Sequence, residues 1–254
     1  MTHSIVSELT HSEGKALRAR HNWGSLLFGT SSDLVNANRF RRRRLQAFMR
    51  LIDAVIAEQG DCRVLDVGGR MAHWQAHADL WTGKPVSITL INLDTEAAVH
   101  PFTCLVGDAR ELDQIADNSF DIVYSNSVIE HVGQWSDQKK MARAVRRVAP
   151  RHYIQTPNYW FPIEPHFRFP FIHWLPEPWR VGLVKRKALG FYARAKDVSQ
   201  ARDILEDARL LDAPAMRSLF PCSTILREKI GPFTKSLIAV KSGREAWHQR
   251  AGGA

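Results

Sequence analysis

From Cys62 onward, short runs of apolar and β-branched residues alternate with segments whose apolar positions recur every three or four residues. "CRVLDV" (62–67), "VSITLINL" (86–93), "FTCLVG" (102–107), "FDIVYS" (120–125) and "HYIQTP" (152–157) read as strands. They are apolar on both faces, as strands buried in a parallel sheet are. Between them "AHWQAHADLW", "ARELDQIA" and "SDQKKMARAVRRVA" read as helices or helical turns, with a short turn after Asp94. Such alternation predicts an α/β fold, a parallel sheet covered by helices on both faces. After "QARDILEDARLLD" and "APAMRSLF", the runs "STILREKI" and "TKSLIAVK" read as two more strands, and the Gly231-Pro232 between them suits an antiparallel hairpin. That makes seven strands, the last two paired behind a mostly parallel core.

Ahead of the sheet, Arg41-Arg42-Arg43-Arg44 opens a segment in which Leu45, Phe48, Met49, Ile52, Val55 and Ile56 keep helical spacing and Gly60 is the stop. Residues 1 to about 35 read as a loosely structured extension and 251–254 as a frayed tail. The expected organisation is an extension with a basic helix over 1–59 and an α/β domain over 60–250.

A chain of 254 residues can bury a sizeable core, and its 24% charged residues fit a globular protein in water. No apolar run approaches the roughly 20 residues of a membrane span, and "MTHSIVSELTHSEGKALRARHNWG" has no apolar signal core, so a cytoplasmic location is expected. Cys62, Cys104 and Cys222 are far apart and read as small buried apolar residues. The net charge of +9 admits nucleic acid, anionic lipid or a phosphorylated compound as partner. The arginine run is read first as a solvated helix end and second as a binding patch.

In an open α/β sheet, ligands bind outside the carboxyl ends of the strands. Asp66 ends the first run and is followed by Gly68-Gly69, which lets the backbone turn tightly and approach a ligand. Asp94 ends the second, where a carboxylate can accept both hydroxyls of a ribose. "GDA" (107–109) ends the third: Asp108 can accept from an adenine amino group, and the Ala109 backbone can read the ring edge. "SNSVIEH" (125–131) ends the fourth. Together these imply an adenosine-containing ligand.

"VLDVGG", "INLD", "GDA" and "FDIVYSNSVIEHV", with the order of elements around them, resemble the class I S-adenosylmethionine-dependent methyltransferases, in particular the methyltransferase type 11-like group, over roughly residues 60–241. The resemblance implies a Rossmann-like seven-stranded, mostly parallel sheet with helices on both faces and an antiparallel last strand, and S-adenosylmethionine bound across the strand ends. It assigns Asp66, Gly68 and Gly69 to the methionine and ribose side, Asp94 to the ribose hydroxyls, Asp108 and Ala109 to the adenine, and Asn126 and Ser127 to the methionine moiety and the reacting methyl. The chain departs from the group's Asp-x-Gly-x-Gly-x-Gly turn by carrying Arg70 and Ala72 where later glycines stand. S-adenosylmethionine has no pyrophosphate, so close approach along the entire turn is less necessary. Trp74 either supports this turn or belongs to the core. Arg70 either faces solvent or reaches the cofactor carboxylate or the acceptor. A nicotinamide site, which needs G-x-G-x-x-G, is not supplied by "GGRMAH".

The acceptor should enter past the fourth and fifth strands. Glu130 and His131 follow the fourth. After the fifth, "TPNYWFPIEPHFRFPFIHWLPEPWR" (156–180) holds eight aromatics and a proline density that excludes a long helix or central strand. It is expected to form an ordered aromatic loop over the strand ends, part of a substrate loop at about 156–195. Asn158, Glu164, His166 and His173 are its polar groups, and His131, Glu164 and His166 are the candidate catalytic residues, as general base or acceptor-positioning groups. The spacing of His131, Glu164 and His166 matches no strong ligand motif, and no metal is expected. "WRVGLVKRKALGFYARAK" reads either as an ordinary amphipathic helix or, with Arg41–Arg44, as a surface for a phosphorylated or lipid-linked acceptor at the anionic inner face of a membrane. No nucleic-acid recognition module is present and none is expected as partner. "SNSV" in place of an "N-P-P-Y"-like turn points to oxygen acceptors in small molecules or glycans. The expected function is therefore O-methylation of a small molecule or saccharide, the alternative a non-catalytic methyltransferase-like binding or scaffold protein with Arg70 in the cofactor space.

Overall fold

The computed structural model describes residues 31–94 and 97–243, with side chains from Phe40 onward. The tail read over 251–254 and nearly all of the extension read over 1–35 lie outside the described residues. The chain divides into two compact units, Met1–Arg42 and Arg43–Ala254. Helix α1 (Ser31–Gln59) starts in the first, and everything below concerns the second.

Seven strands form one sheet in the order β3-β2-β1-β4-β5-β9-β8. β1 (Cys62–Val67), β2 (Val86–Asn92), β3 (Phe102–Val106), β4 (Ile122–Asn126) and β5 (Arg151–Pro157) run parallel. β9 (Phe233–Lys241) is antiparallel to both β5 and β8 (Thr224–Ile230), with Gly231 at φ +55° in the hairpin turn. Alternate residues of each strand serve opposite faces: Val64 packs under Leu45, Phe48, Met49, Ile52 and Val55 of α1, whereas Leu65 and Val67 pack under the other layer. That layer is α3 (Trp135–Val148) and α6 (Ala213–Leu219). α3 is opened by a Gln134/Asp137 capping box and buries Met141, Val145 and Val148, one stripe of a 3.6-residue period. α2 (Met71–Gln75) is a short helix after β1.

The segment "ARELDQIA", read as a helix or helical turns, forms turns: Leu112 takes φ +48°, and the Leu112 and Ile115 carbonyls accept from the Arg147 guanidinium (2.9 and 2.7 Å). Two expectations need correction. Cys222, read as a small buried residue, is exposed, and Cys104 is only partly buried. Arg44, read as part of a solvated run, is only 7% exposed. Its Nε and Nη2 donate to the Glu228 carboxylate on β8 (3.0 and 2.5 Å), Nη2 also to Ser236 Oγ on β9 (3.1 Å) and Nη1 to Asn126 Oδ1 on β4 (2.9 Å). It is a buried cross-brace and is withdrawn from any membrane-facing patch. No helix among the described residues is long and apolar enough to cross a membrane.

The segment after β5 is more than a loop. β6 (Ile163–Glu164) and β7 (Phe169–Pro170) make a small ribbon, and α4 (Glu177–Arg186) and α5 (Val198–Glu206) follow. Phe167, Ile172, Val184, Leu189, Tyr192 and Ala201 form a separate small core beneath them. This lid is held by its own apolar cluster, while Trp160, Phe171, Trp174 and Trp179 face solvent.

His152 on β5 gives the fold a pH dependence. It is 1% exposed, with Nε2 2.7 Å from Ser223 Oγ; burial, with Lys241 and Arg146 nearby, pulls its pKa down to about 3. The native ring is thus neutral, and stability is full above the unfolded histidine pKa. As pH falls from about 6.5 toward 3, the unfolded chain takes up a proton that the native state refuses, so stability is lost. Between pH 7 and pH 4 the loss from this ring is expected to be about 3 kcal/mol. Urea unfolding of His152→Gln at both pH values should show a correspondingly smaller drop than wild type; an equal drop would refute the assignment.

Candidate functional site

The carboxyl ends of β1, β2, β3 and β4 bring together the residues singled out from the sequence. Asp66, 1% exposed, accepts Trp74 Nε1 at 2.7 Å through Oδ2, while Oδ1 has no hydrogen-bond partner. Burial pushes its pKa up to about 7, the indole N–H pulling the other way. Trp74 therefore does both things expected of it, lying fully buried in the core and tying down the turn. Gly68 stands at φ +78°, and a Cβ there would come within 2.5 Å of Val128 Cγ2. A Cβ on Gly69 would lie 1.8 Å from Asp66 Oδ2, and the Gly69 carbonyl accepts from Asn92 Nδ2 at 2.6 Å. Both glycines are required by close approach and not merely tolerated.

Arg70 turns neither to bulk solvent nor across the site. Its Nη2 donates to Asp94 Oδ1 at 2.6 Å, with side-chain exposures of 16% and 47%. Asp108 is likewise engaged, by the backbone N–H and guanidinium of Arg110 (2.5–2.9 Å), with Ala109 half-buried beside it. Asn126 is held by Arg44, and Ser127, at φ +58°, donates from Oγ to Gln155 Oε1 (3.0 Å) and from its backbone N–H to the Gln155 carbonyl (3.0 Å).

Val128, the residue against Gly68, leads into a 3-10 turn, Ile129–His131, that carries Glu130 and His131. Glu130 is fully buried; its Oε2 accepts Thr156 Oγ1 from the end of β5 (3.0 Å) and its Oε1 has no partner. The His131 ring lies 4.7 Å from that of His166, edge to face, and its Nδ1 faces the Asp207 carbonyl at 3.1 Å. His166 Nδ1 is 2.6 Å from Glu164 Oε1, and Glu164 Oε2 accepts the Phe167 N–H at 2.6 Å. Tyr192 donates to Asp207 Oδ2 at 2.5 Å. The three candidates His131, Glu164 and His166 thus meet in one buried group, joined by Glu130 and Asp207.

Burial dominates the electrostatics. It pushes Glu130 up to about 7 and pulls His131 down to about 3, with His166 adding to the second shift. His166 is pulled down by burial but raised on balance by the Glu164 hydrogen bond and charge. A cavity of about 240 Å³ has Glu164 in its wall, with Tyr159, Phe167, Ile172, Arg180 and Arg209 among others.

Sequence reading missed Arg44, Asn92, Asp207 and Tyr192. Arg44 carried a signal, since it precedes the buried Phe48 and Ile52 by one and two helical turns; Asp207, 76 residues from His131, carried none.

Residues 63–151 match the family profile described as a methyltransferase domain. No curated protein matches the sequence. Among solved structures, the chain is similar to the N-terminal domain of EvdMO1 with SAH bound, at 16% identity over 80% of this chain and 81% of that one (TM-score 0.45). It is similar to a SAM-dependent methyltransferase from Methanosarcina mazei at 16% identity, over 72% and 93% (TM-score 0.44). The CurJ carbon methyltransferase is matched at 12% identity over 71% of this chain (TM-score 0.43). The chain spans 48% of the length of CurJ and 56% of that of PigF, another structure it matches.

Proposed function

From the match of residues 63–151 to a methyltransferase-domain profile, we propose that the protein is a class I S-adenosylmethionine-dependent methyltransferase that methylates an oxygen of a small-molecule acceptor, a hydroxyl compound or saccharide. S-adenosylmethionine is the cofactor and supplies, when bound, a methyl group on a positively charged sulfur. The β1 end fits it in one respect: Asp66 Oδ1 is a buried carboxylate oxygen without a partner. In this reading Asp66, Gly68 and Gly69 line the methionine and ribose side, Asn126 and Ser127 lie by the methionine moiety and the reacting methyl, Asp94 takes the ribose hydroxyls once Arg70 yields it, and Asp108 with Ala109 holds the adenine.

The observation that carries the acceptor side is the buried group of Glu130, His131, Glu164 and His166, joined to the cofactor turn through the Val128–Gly68 contact. A hydroxyl acceptor needs groups that hold its oxygen and draw off its proton, and this group offers carboxylates and imidazoles out of water. The adjoining cavity, about 240 Å³ with aromatic and arginine walls, suits a ring-sized acceptor better than a macromolecule.

Asp94→Ala is expected to weaken S-adenosylhomocysteine binding about 10- to 100-fold, the worth of one or two hydrogen bonds to a charged group, with the circular dichroism unchanged. Failure of folded wild type to bind both S-adenosylmethionine and S-adenosylhomocysteine in calorimetry would end the reading. Methyl-labelled cofactor with hydroxyl compounds, followed by mass spectrometry, tests the oxygen assignment; label on carbon or nitrogen refutes it.

The non-catalytic alternative has one observation behind it, the Arg70–Asp94 pair. A pair this exposed contributes about 0–1 kcal/mol, which is small beside the roughly 8 kcal/mol of a micromolar ligand. Arg70 is thus a partner that a cofactor displaces.

A further inference from the structure

We propose that Glu130, His131 and His166 form a binding site for one divalent transition-metal ion of the Mn²⁺, Fe²⁺, Co²⁺ or Zn²⁺ class, which in turn receives the acceptor oxygen. Only the role toward the acceptor rests on the methyl-transfer reading above. One ligand atom from each of the three residues lies within 4.8 Å of the others, in a buried setting. The remaining polar atoms of these side chains are already committed in the way that orients metal ligands. His166 Nδ1 is on the Glu164 carboxylate, His131 Nδ1 is on the Asp207 carbonyl, and Glu130 Oε2 is on Thr156. With Nδ1 of both rings engaged, each would ligate through Nε2. Glu130 Oε1, fully buried, has no protein partner and supplies the third ligand.

Charge favours a cation here. Glu130, Glu164 and Asp207 crowd the group with carboxylates. Arg44, the arginine that acts on Glu130, is already bound by Glu228 and Asn126. Buried carboxylates are costly unless compensated. Two imidazoles and one carboxylate suit transition ions, not Mg²⁺ or Ca²⁺, which call for oxygen-rich shells, and three protein ligands leave positions open for a substrate oxygen. Such an ion would lower the pKa of a bound acceptor hydroxyl toward neutrality, the proton passing to solvent water. The ligands come from the β4 turn and from the lid, so the ion also joins those two parts.

The test uses the full-length protein, stripped with a chelator and titrated with Co²⁺. Uptake of one equivalent with a visible d–d absorption band, a raised melting temperature and slower amide exchange over residues 163–192 is expected. Glu130→Gln and His166→Asn, confirmed folded by circular dichroism, should lower the affinity at least 100-fold. Glu164→Gln, which touches no metal, should lower it about 10- to 100-fold. Folded wild type that takes up neither Co²⁺ nor Zn²⁺ overturns the proposal without reference to any variant; uptake indifferent to Glu130→Gln and His166→Asn overturns it as well. S-adenosylhomocysteine calorimetry on the same stripped sample separates the two readings. Binding of it without metal uptake refutes the metal site and spares methyl transfer, whereas metal uptake without it supports the site and refutes methyl transfer.

Discussion

Replacing Arg44 with alanine is expected to destabilise the protein by about 3–5 kcal/mol, the range for breaking one side of a buried ion pair. The guanidinium joins α1 to three strands at once: Glu228 on β8, Ser236 on β9 and Asn126 on β4. Its removal strands the Glu228 carboxylate, 14% exposed, without its cation. Arg44→Lys should recover little, because an ammonium cannot present the fork that engages both carboxylate oxygens and Asn126 together. Adding Glu228→Gln to Arg44→Ala should restore a large part of the loss, since most of it is the desolvated charge left behind. Urea unfolding of the four proteins is the measurement. An alanine variant with wild-type stability would show that the brace carries no energy. Because Asn126 loses its anchor too, cofactor affinity should fall in the alanine variant even at temperatures where it is folded.

Gly190→Ala is expected to loosen the lid while sparing the sheet. Gly190 has φ +56°, and a Cβ there would lie 2.0 Å from the His166 carbonyl oxygen and 2.5 Å from the Phe167 carbonyl carbon. These are backbone atoms, so no rotamer change relieves the overlap. The positive φ and the overpacking together cost about 3 kcal/mol. Hydrogen exchange over residues 163–192 should accelerate about 100-fold, with β1 to β5 unchanged and S-adenosylhomocysteine bound as in wild type. In the proposed role of His166, a displacement of about 1 Å is expected to lower methyl transfer about 100-fold. Unaltered exchange in the lid would show that its two halves are not packed as described.

Each of the seven runs corresponds to an observed strand: the five parallel ones were legible because strands inside a covered sheet are rich in apolar residues, and the antiparallel β8 and β9 from the Gly231-Pro232 turn between them. Segment 109–116 was read as a helix or helical turns, and what left the two unseparated is that Arg147 reaches back from α3 to take two of its carbonyls, an interaction no local window contains. At the site, residue types at strand ends were readable but their partners were not. Asp94 was found from its position, whereas its pairing with Arg70 depends on how the β1 turn aims a side chain. Glu164 and His166 were noticed as polar residues in an aromatic stretch; that His131 joins them follows from the lid folding back over the β4 turn. The apolar core that lets the lid fold so, from Phe167 to Ala201, is scattered among prolines and shows no period.

The Arg70–Asp94 pair ties the turn after β1 to the residue just past β2. Asp94, though half exposed, already holds a guanidinium, so in the proposed reading loading the cofactor is an exchange of partners. A ligand that brings only hydroxyls takes Asp94 but turns a guanidinium loose. One that also brings an anionic end can satisfy both halves of the broken pair. If Asp94 takes the ribose as proposed, the departure from the glycine-rich turn is expected to favour a complete amino-acid-bearing nucleoside over a bare one, which calorimetry with S-adenosylhomocysteine against adenosine checks.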